Sequence, residues 1–217
     1  MSEILQRLAD TLGLPLPPYG MGAALVLLLY AIQSEVRFGA KARTMLPRRT
    51  DRASTLALSL SSLVPVVGFV VAMQPMALIQ SRRLPAWIFW PGATPNMVAA
   101  AWIGVWLGVL GLLLRLWAVL TLRKRYTRTL LVQDDHSLER RGPYRFVRHP
   151  GYLGSLLSLN GIALTSCSIP IFVSSIAATL AAYAYRIRVE EAMLIATFGE
   201  PYEQYRREVA ALVPFVW

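Results

Sequence analysis

Arg140-Arg-Gly-Pro-Tyr-Arg-Phe-Val-Arg-His-Pro-Gly-Tyr-Leu-Gly154 lies between two long apolar stretches of the chain. It gathers four arginines, one of two histidines and two prolines. Polar density at a membrane boundary is costly, so it marks a site rather than a linker. A second polar cluster, Arg186-Ile-Arg-Val-Glu-Glu191, stands where the last apolar segment ends. An apolar hairpin separates the two clusters, so the chain folds them back toward each other. One pocket at one membrane face is the expected result.

The rest of the chain supports a membrane setting. Hydrophobic residues make up 55% of it and the mean hydropathy is +0.47, values that favour a membrane protein over a soluble one. Spans are expected at Met21–Gln33, with extension toward Pro18 and Phe38, at Ser54–Leu78, with Pro65 and Pro75 as kinks, and at Met97–Leu122. The hairpin supplies two more, Pro150–Ser166 and Pro170–Tyr185, both short for the hydrocarbon core. Residues 186–212 are expected to carry the last helix on as an amphipathic one, broken near Gly199–Pro201. Residues 1–19 read as a surface segment, and no secretory signal is expected from the position of the first apolar run. The chain reads as one folded unit, with a transmembrane scaffold over residues 1–122 and a site half over residues 123–217.

The net charge of +10 raises the question of nucleic acid, and its distribution argues against it. Cations are dense between spans one and two, sparse between two and three, and dense again after spans three and five. That alternation fits the positive-inside rule, with the N-terminus outside and both polar clusters in the cytoplasm. Most of these arginines are then expected to set topology and to touch membrane lipids. The abundance of Ala and Arg suggests a bacterial inner membrane. Cys167 is the only cysteine, so no internal disulfide forms, and two histidines without a cysteine pair predict no metal site.

The clusters suggest their own chemistry. Arg186 and Glu190 are four apart and share a helix face, whereas Glu191 turns aside by about 100°. A carboxylate, a guanidinium and the helix N-terminus at Pro150 suit a zwitterionic ligand beside an anionic head group. The plain alternatives are an exposed salt bridge for Arg186–Glu190 and a capping role for His149.

Gly142-Pro-Tyr144, Arg148-His-Pro-Gly-Tyr152 and Gly154, followed by Glu190-Glu191, Leu194, Phe198-Gly199, Tyr202 and Tyr205, resemble the C-terminal signature of the isoprenylcysteine carboxyl methyltransferases. Membrane phospholipid methyltransferases are wider relatives. The resemblance spans about residues 125–217 and implies an all-α integral membrane protein. About five transmembrane helices would carry a cytoplasmic S-adenosyl-L-methionine pocket formed by the C-terminal half. It implies cofactor contacts from Gln133, His136, Ser137, Leu138, Glu139, Tyr144, His149, Pro150, Gly151, Tyr152, Glu190 and Glu191. Arg186 and Glu190 would act at the reaction centre, with Arg186 holding the acceptor's carboxylate.

A carboxylate is already ionised at pH 7, so its methylation needs alignment and exclusion of water rather than a general base. The acceptor implied is a lipophilic small molecule or prenylated substrate, most simply an isoprenylcysteine. A lipid amine or small thiol is the alternative acceptor. Two other classes compete: an NADPH-dependent sterol-type reductase, and a scaffold or transporter subunit. The scarcity of polar residues within the spans argues against the last.

Overall fold

The computed structural model describes residues 18–35, 49–72, 95–122 and 138–212. Its regular structure among these residues is helical, with one isolated bridge between Val147 and Ala210. We number the helices α1 (Pro18–Glu35), α2 (Arg49–Ala72), α3 (Pro95–Leu122), α4 (Pro150–Thr165), α5 (Ile169–Phe198) and α6 (Glu200–Glu208), with a 3-10 turn at Gly142–Arg145. Three of them, α2, α3 and α5, contain stretches long and apolar enough to cross a membrane. The apolar part of α1, Gly22–Gln33, is shorter. The 16 residues of α4 rise about 24 Å, less than the roughly 30 Å of a hydrocarbon core. Pro75, expected to kink the second span, lies outside the described residues, while Pro65 is inside α2 and fully buried.

Neighbouring contacts give the direction of each helix. Gly22 packs on Val105 and Val26 on Gly108, so α1 and α3 run parallel. Gly68 meets Ile171 at one end of α2, and Ser54 meets Arg186 at the other, so α2 and α5 are antiparallel. Helices α3 and α4 are antiparallel at very close range. A Cβ on Gly111 would sit 2.5 Å from the Gly154 carbonyl oxygen, and one on Gly161 2.5 Å from that of Gly104. Only residues without a side chain allow two helix backbones this approach. The start of α2, the end of α3, the start of α4 and the last turns of α5 therefore meet at one face of the bundle.

Local sequence explains the breaks. Pro150 takes an initial α4 position, where its missing N–H costs nothing. Ser168 caps α5 by accepting from the Ile171 N–H. Cys167 sits in the intervening turn, at the end of the hairpin remote from the polar clusters. As expected, the helix carries on beyond Tyr185: α5 runs unbroken past both carboxylates to Phe198. Gly199, at φ +60, ends it. Helix α6 then has Glu200 and Glu203 in its first turn and Arg206 and Arg207 in its last, the order the helix dipole favours.

The large side chains left exposed, among them Leu25, Leu28, Leu56, Leu63, Trp106, Leu110 and Val173, lie on the outer faces of α1, α2, α3 and α5. Such a surface suits lipid and not water. Inside the hairpin, Asn160 donates to Leu156 O and Thr179 Oγ1 and accepts from Ser175 Oγ, so its polar groups are matched within the bundle.

Candidate active site

Two lattices of polar groups meet on α5, one through each of the adjacent carboxylates. Glu191 lies in the first. Its Oε1 accepts from Arg148 Nε at 2.9 Å and lies 2.7 Å from Arg148 Nη2 and 3.3 Å from His149 Nε2. Its Oε2 is 3.3 Å from Arg206 Nε. The His149 residue is only 6% exposed, and its other ring nitrogen, Nδ1, lies 4.0 Å from Glu190 Oε2, so the ring sits between the two carboxylates. Buried carboxylates hold when they are paired and hydrogen-bonded, and Glu191 is both.

The same lattice ties the loop before α4 to the segment after α6. Arg148 N–H donates to Ala210 O at 2.8 Å and His149 N–H to Ala211 O at 3.0 Å. Arg148 Nη1 also donates to the carbonyls of Arg206 and Val209, and Arg140 pairs with Glu208. The Tyr205 hydroxyl donates to Tyr144 O at 2.5 Å. Burial pushes the Tyr202 and Tyr205 hydroxyls up, that of Tyr205 to about 12, so both remain neutral at physiological pH.

Glu190 belongs to the second lattice and is more open, its side chain 24% exposed against 11% for Glu191. The Tyr152 hydroxyl donates to Glu190 Oε2 at 2.5 Å. Arg186 Nε donates to that hydroxyl at 3.2 Å, so tyrosine bridges the two residues that share a face of α5. Arg186 Nη1 then donates to Ser54 Oγ at 2.7 Å and Thr55 Oγ1 at 3.2 Å, both on α2. The Tyr152 ring stacks on His149, 5.5 Å between centroids, and meets Tyr183 at 5.4 Å. Tyr152 is thus packed on both sides, with its hydroxyl aimed at Glu190.

The expected site residues divide accordingly. His149, Tyr152, Arg186, Glu190 and Glu191 come together. Pro150 is buried at the start of α4. Tyr152 N–H and Leu153 N–H both turn to His149 O, which leaves the Gly151 N–H as the donor of that first turn. Tyr144 lies in the 3-10 turn, fastened by Tyr205. Leu138 and Glu139 begin the described loop, and Glu139 accepts from the Arg141 N–H. Glu139 and Arg141 line a cavity of about 390 Å³ with Leu120 and Thr121 at the end of α3. Gly142, at φ +57, packs on Thr121 there, and its positive φ suits a residue without a side chain. Gln133, His136 and Ser137 lie outside the described residues.

Arg186, expected to hold the acceptor's carboxylate, is 2% exposed and lies between α2, α4 and α5. A guanidinium inside a helix bundle needs several acceptors, and the hydroxyls of Ser54, Thr55 and Tyr152 supply them. Ser54, Thr55 and Arg206 were missed as site residues. The basic loop ahead of α2 places that helix start at the site face, which is the one sequence signal that points to Ser54 and Thr55.

The loop before α4, α4 and the two carboxylates of α5 lie within residues that match a known family. The family model described as "Isoprenylcysteine carboxyl methyltransferase (ICMT) family" matches residues 102–196. Protein-S-isoprenylcysteine O-methyltransferase B of Arabidopsis thaliana is 30% identical over 165 residues, covering 73% of this chain and 80% of the relative. The chain belongs to the isoprenylcysteine carboxyl methyltransferase family. A probable protein-S-isoprenylcysteine O-methyltransferase of Oryza sativa subsp. indica is 33% identical over 121 residues. The match covers 54% of this chain and 62% of that relative's length. Among solved structures, the eukaryotic intramembrane Ras methyltransferase ICMT shares the fold, with a TM-score of 0.60 at 20% identity. That match covers 93% of this chain and 69% of the solved one.

Proposed function

We propose that the protein is an integral membrane methyltransferase that uses S-adenosyl-L-methionine to methylate the carboxylate of an isoprenylcysteine-like lipid. The observation that carries this reading is the Tyr152–Glu190 pair at the bundle face, on residues that fit the family's signature. The positive-inside distribution supports a cytoplasmic location for that face.

The residues present fit the cofactor. Glu190 has one oxygen held by Tyr152 and keeps acceptor capacity for an ammonium or for ribose hydroxyls. The Gly151 N–H, at the positive end of α4, suits a carboxylate. When bound, S-adenosyl-L-methionine supplies a methyl group activated by its sulfonium. The protein's own part is placement. Tyr152 fixes the Glu190 carboxylate, His149 and Tyr183 fix the Tyr152 ring, and the strap at residues 209–211 fixes the loop that carries His149. No general base is required of His149, because an acceptor carboxylate with a pKa near 4 is ionised at pH 7. The apolar outer faces of the helices let a prenyl chain stay in the bilayer while its head group reaches the site.

Methyl-labelled S-adenosyl-L-methionine with a small prenylcysteine, followed by base treatment of the product, tests the reading. Volatile methanol released by base is the expected result, since only a carboxyl methyl ester yields it. Transferred label that survives base replaces the carboxylate with an amine or thiol acceptor. Absence of both binding and transfer overturns the reading.

A further inference from the structure

We infer that Ser54, on α2, is a positioning residue for the Glu190 carboxylate and acts on it through Arg186 and Tyr152. The inference deepens the reading above and rests on it.

The geometry is a directed relay across three helices. Ser54 is 0% exposed, and its Oγ accepts from Arg186 Nη1 at 2.7 Å. Arg186 Nε points the other way and donates to the Tyr152 hydroxyl at 3.2 Å. That hydroxyl donates to Glu190 Oε2 at 2.5 Å. Each donor therefore points along the chain of bonds from cation to carboxylate. A guanidinium polarises the phenol it donates to and strengthens that phenol's own bond, and low polarity around the relay increases the effect. Burial of Arg186 at 2% exposure excludes water from its side of the relay.

Ser54 sets where the guanidinium sits. An arginine has rotamers to spare, and its fork needs a fixed acceptor at each end to hold one of them. Tyr152 fixes the Nε end, and Ser54 and Thr55 fix the Nη1 end. Ser54 makes the shorter contact and is fully buried, whereas Thr55 is half-buried. Helix propensity does not explain the serine, because alanine is better in a helix by a few tenths of a kcal/mol. Its hydroxyl is the group the relay requires.

The test is a double-mutant cycle on cofactor affinity, with the full chain in lipid nanodiscs and S-adenosyl-L-methionine as the titrant. Ser54→Ala is expected to weaken binding roughly tenfold, the effect of losing the orientation of one charge-assisted hydrogen bond. Against a Tyr152→Phe background the same substitution is expected to change affinity less than twofold, because the relay is already cut. Ser54→Thr retains the hydroxyl and is expected to restore affinity, whereas Ser54→Val, of similar shape, is not. That pair carries the test even if the alanine variant folds poorly. Equal losses in the wild-type and Tyr152→Phe backgrounds, or equal affinities for the Thr and Val variants, overturn the inference. If the wild type binds and Glu190→Gln weakens binding while every Ser54 variant binds normally, the relay alone fails. If the wild type binds no S-adenosyl-L-methionine, the functional reading fails and takes the relay with it.

Discussion

Glu190 and Glu191 are adjacent in sequence and identical in chemistry, yet they sit in different physical worlds. Glu191 faces the loop before α4 and the strap after α6, where Arg148, His149 and Arg206 converge on its two oxygens. Glu190 faces the start of α4, with the Tyr152 hydroxyl on one oxygen, His149 Nδ1 4.0 Å from that oxygen, and twice the side-chain exposure. The 100° between successive helix positions separates them. One carboxylate is consumed by the fold. Its neighbour is held by a tyrosine and keeps more of its side chain exposed. Two adjacent acidic residues on one helix thus need not have the same surroundings.

The comparison breaks most sharply at Glu191. Glu191→Ala leaves the buried Arg148 and His149 without their shared carboxylate, a loss of about 3–5 kcal/mol for a broken buried pair. Chemical unfolding of the purified variant should show that loss together with release of the strap. A change below about 1 kcal/mol means the carboxylate is not a lock.

A control for stability without chemistry lies on the far side of α4. Gly111→Ala pushes a carbon against the Gly154 carbonyl, which is backbone and has no rotamer to yield. The expected destabilisation is about 1–3 kcal/mol, read by thermal unfolding in nanodiscs. Cofactor affinity of the folded fraction should be unchanged. A large affinity loss there would blur the separation between scaffold and site.

The smallest effect is expected at Tyr205. Tyr205→Phe deletes the bond to Tyr144 O and should cost about 1 kcal/mol. Hydrogen exchange should report it as faster opening of the 142–149 loop, with the hairpin unaffected. No change in that loop's exchange would remove Tyr205 from the strap.

Much of the fold was legible because its causes are local. Apolar length gave the helical spans, Pro150 gave the start of α4, and Gly199 gave the end of α5. The coming together of His149, Tyr152 and Glu190 followed from a hairpin between two polar clusters. The job of Arg186 was not legible, since spacing places it beside Glu190 but says nothing of α2. Ser54 lies 132 positions from Arg186, and only tertiary packing brings them together. Arg148 was equally opaque: its partners include backbone carbonyls at Arg206 and Val209, and carbonyls carry no sequence signature. The uneven use of two like carboxylates likewise depends on what packs against each face of α5.

Titration of labelled S-adenosyl-L-methionine into the wild type and Glu190→Gln, with unfolding followed on the same samples, tests the central claim most directly. The account predicts that Glu190→Gln loses at least tenfold in affinity while its unfolding midpoint stays within about 2 °C of the wild type, the shift for roughly half a kcal/mol in a chain of this size. Wild-type affinity in Glu190→Gln, or a collapse of its stability to match Glu191→Ala, would contradict it.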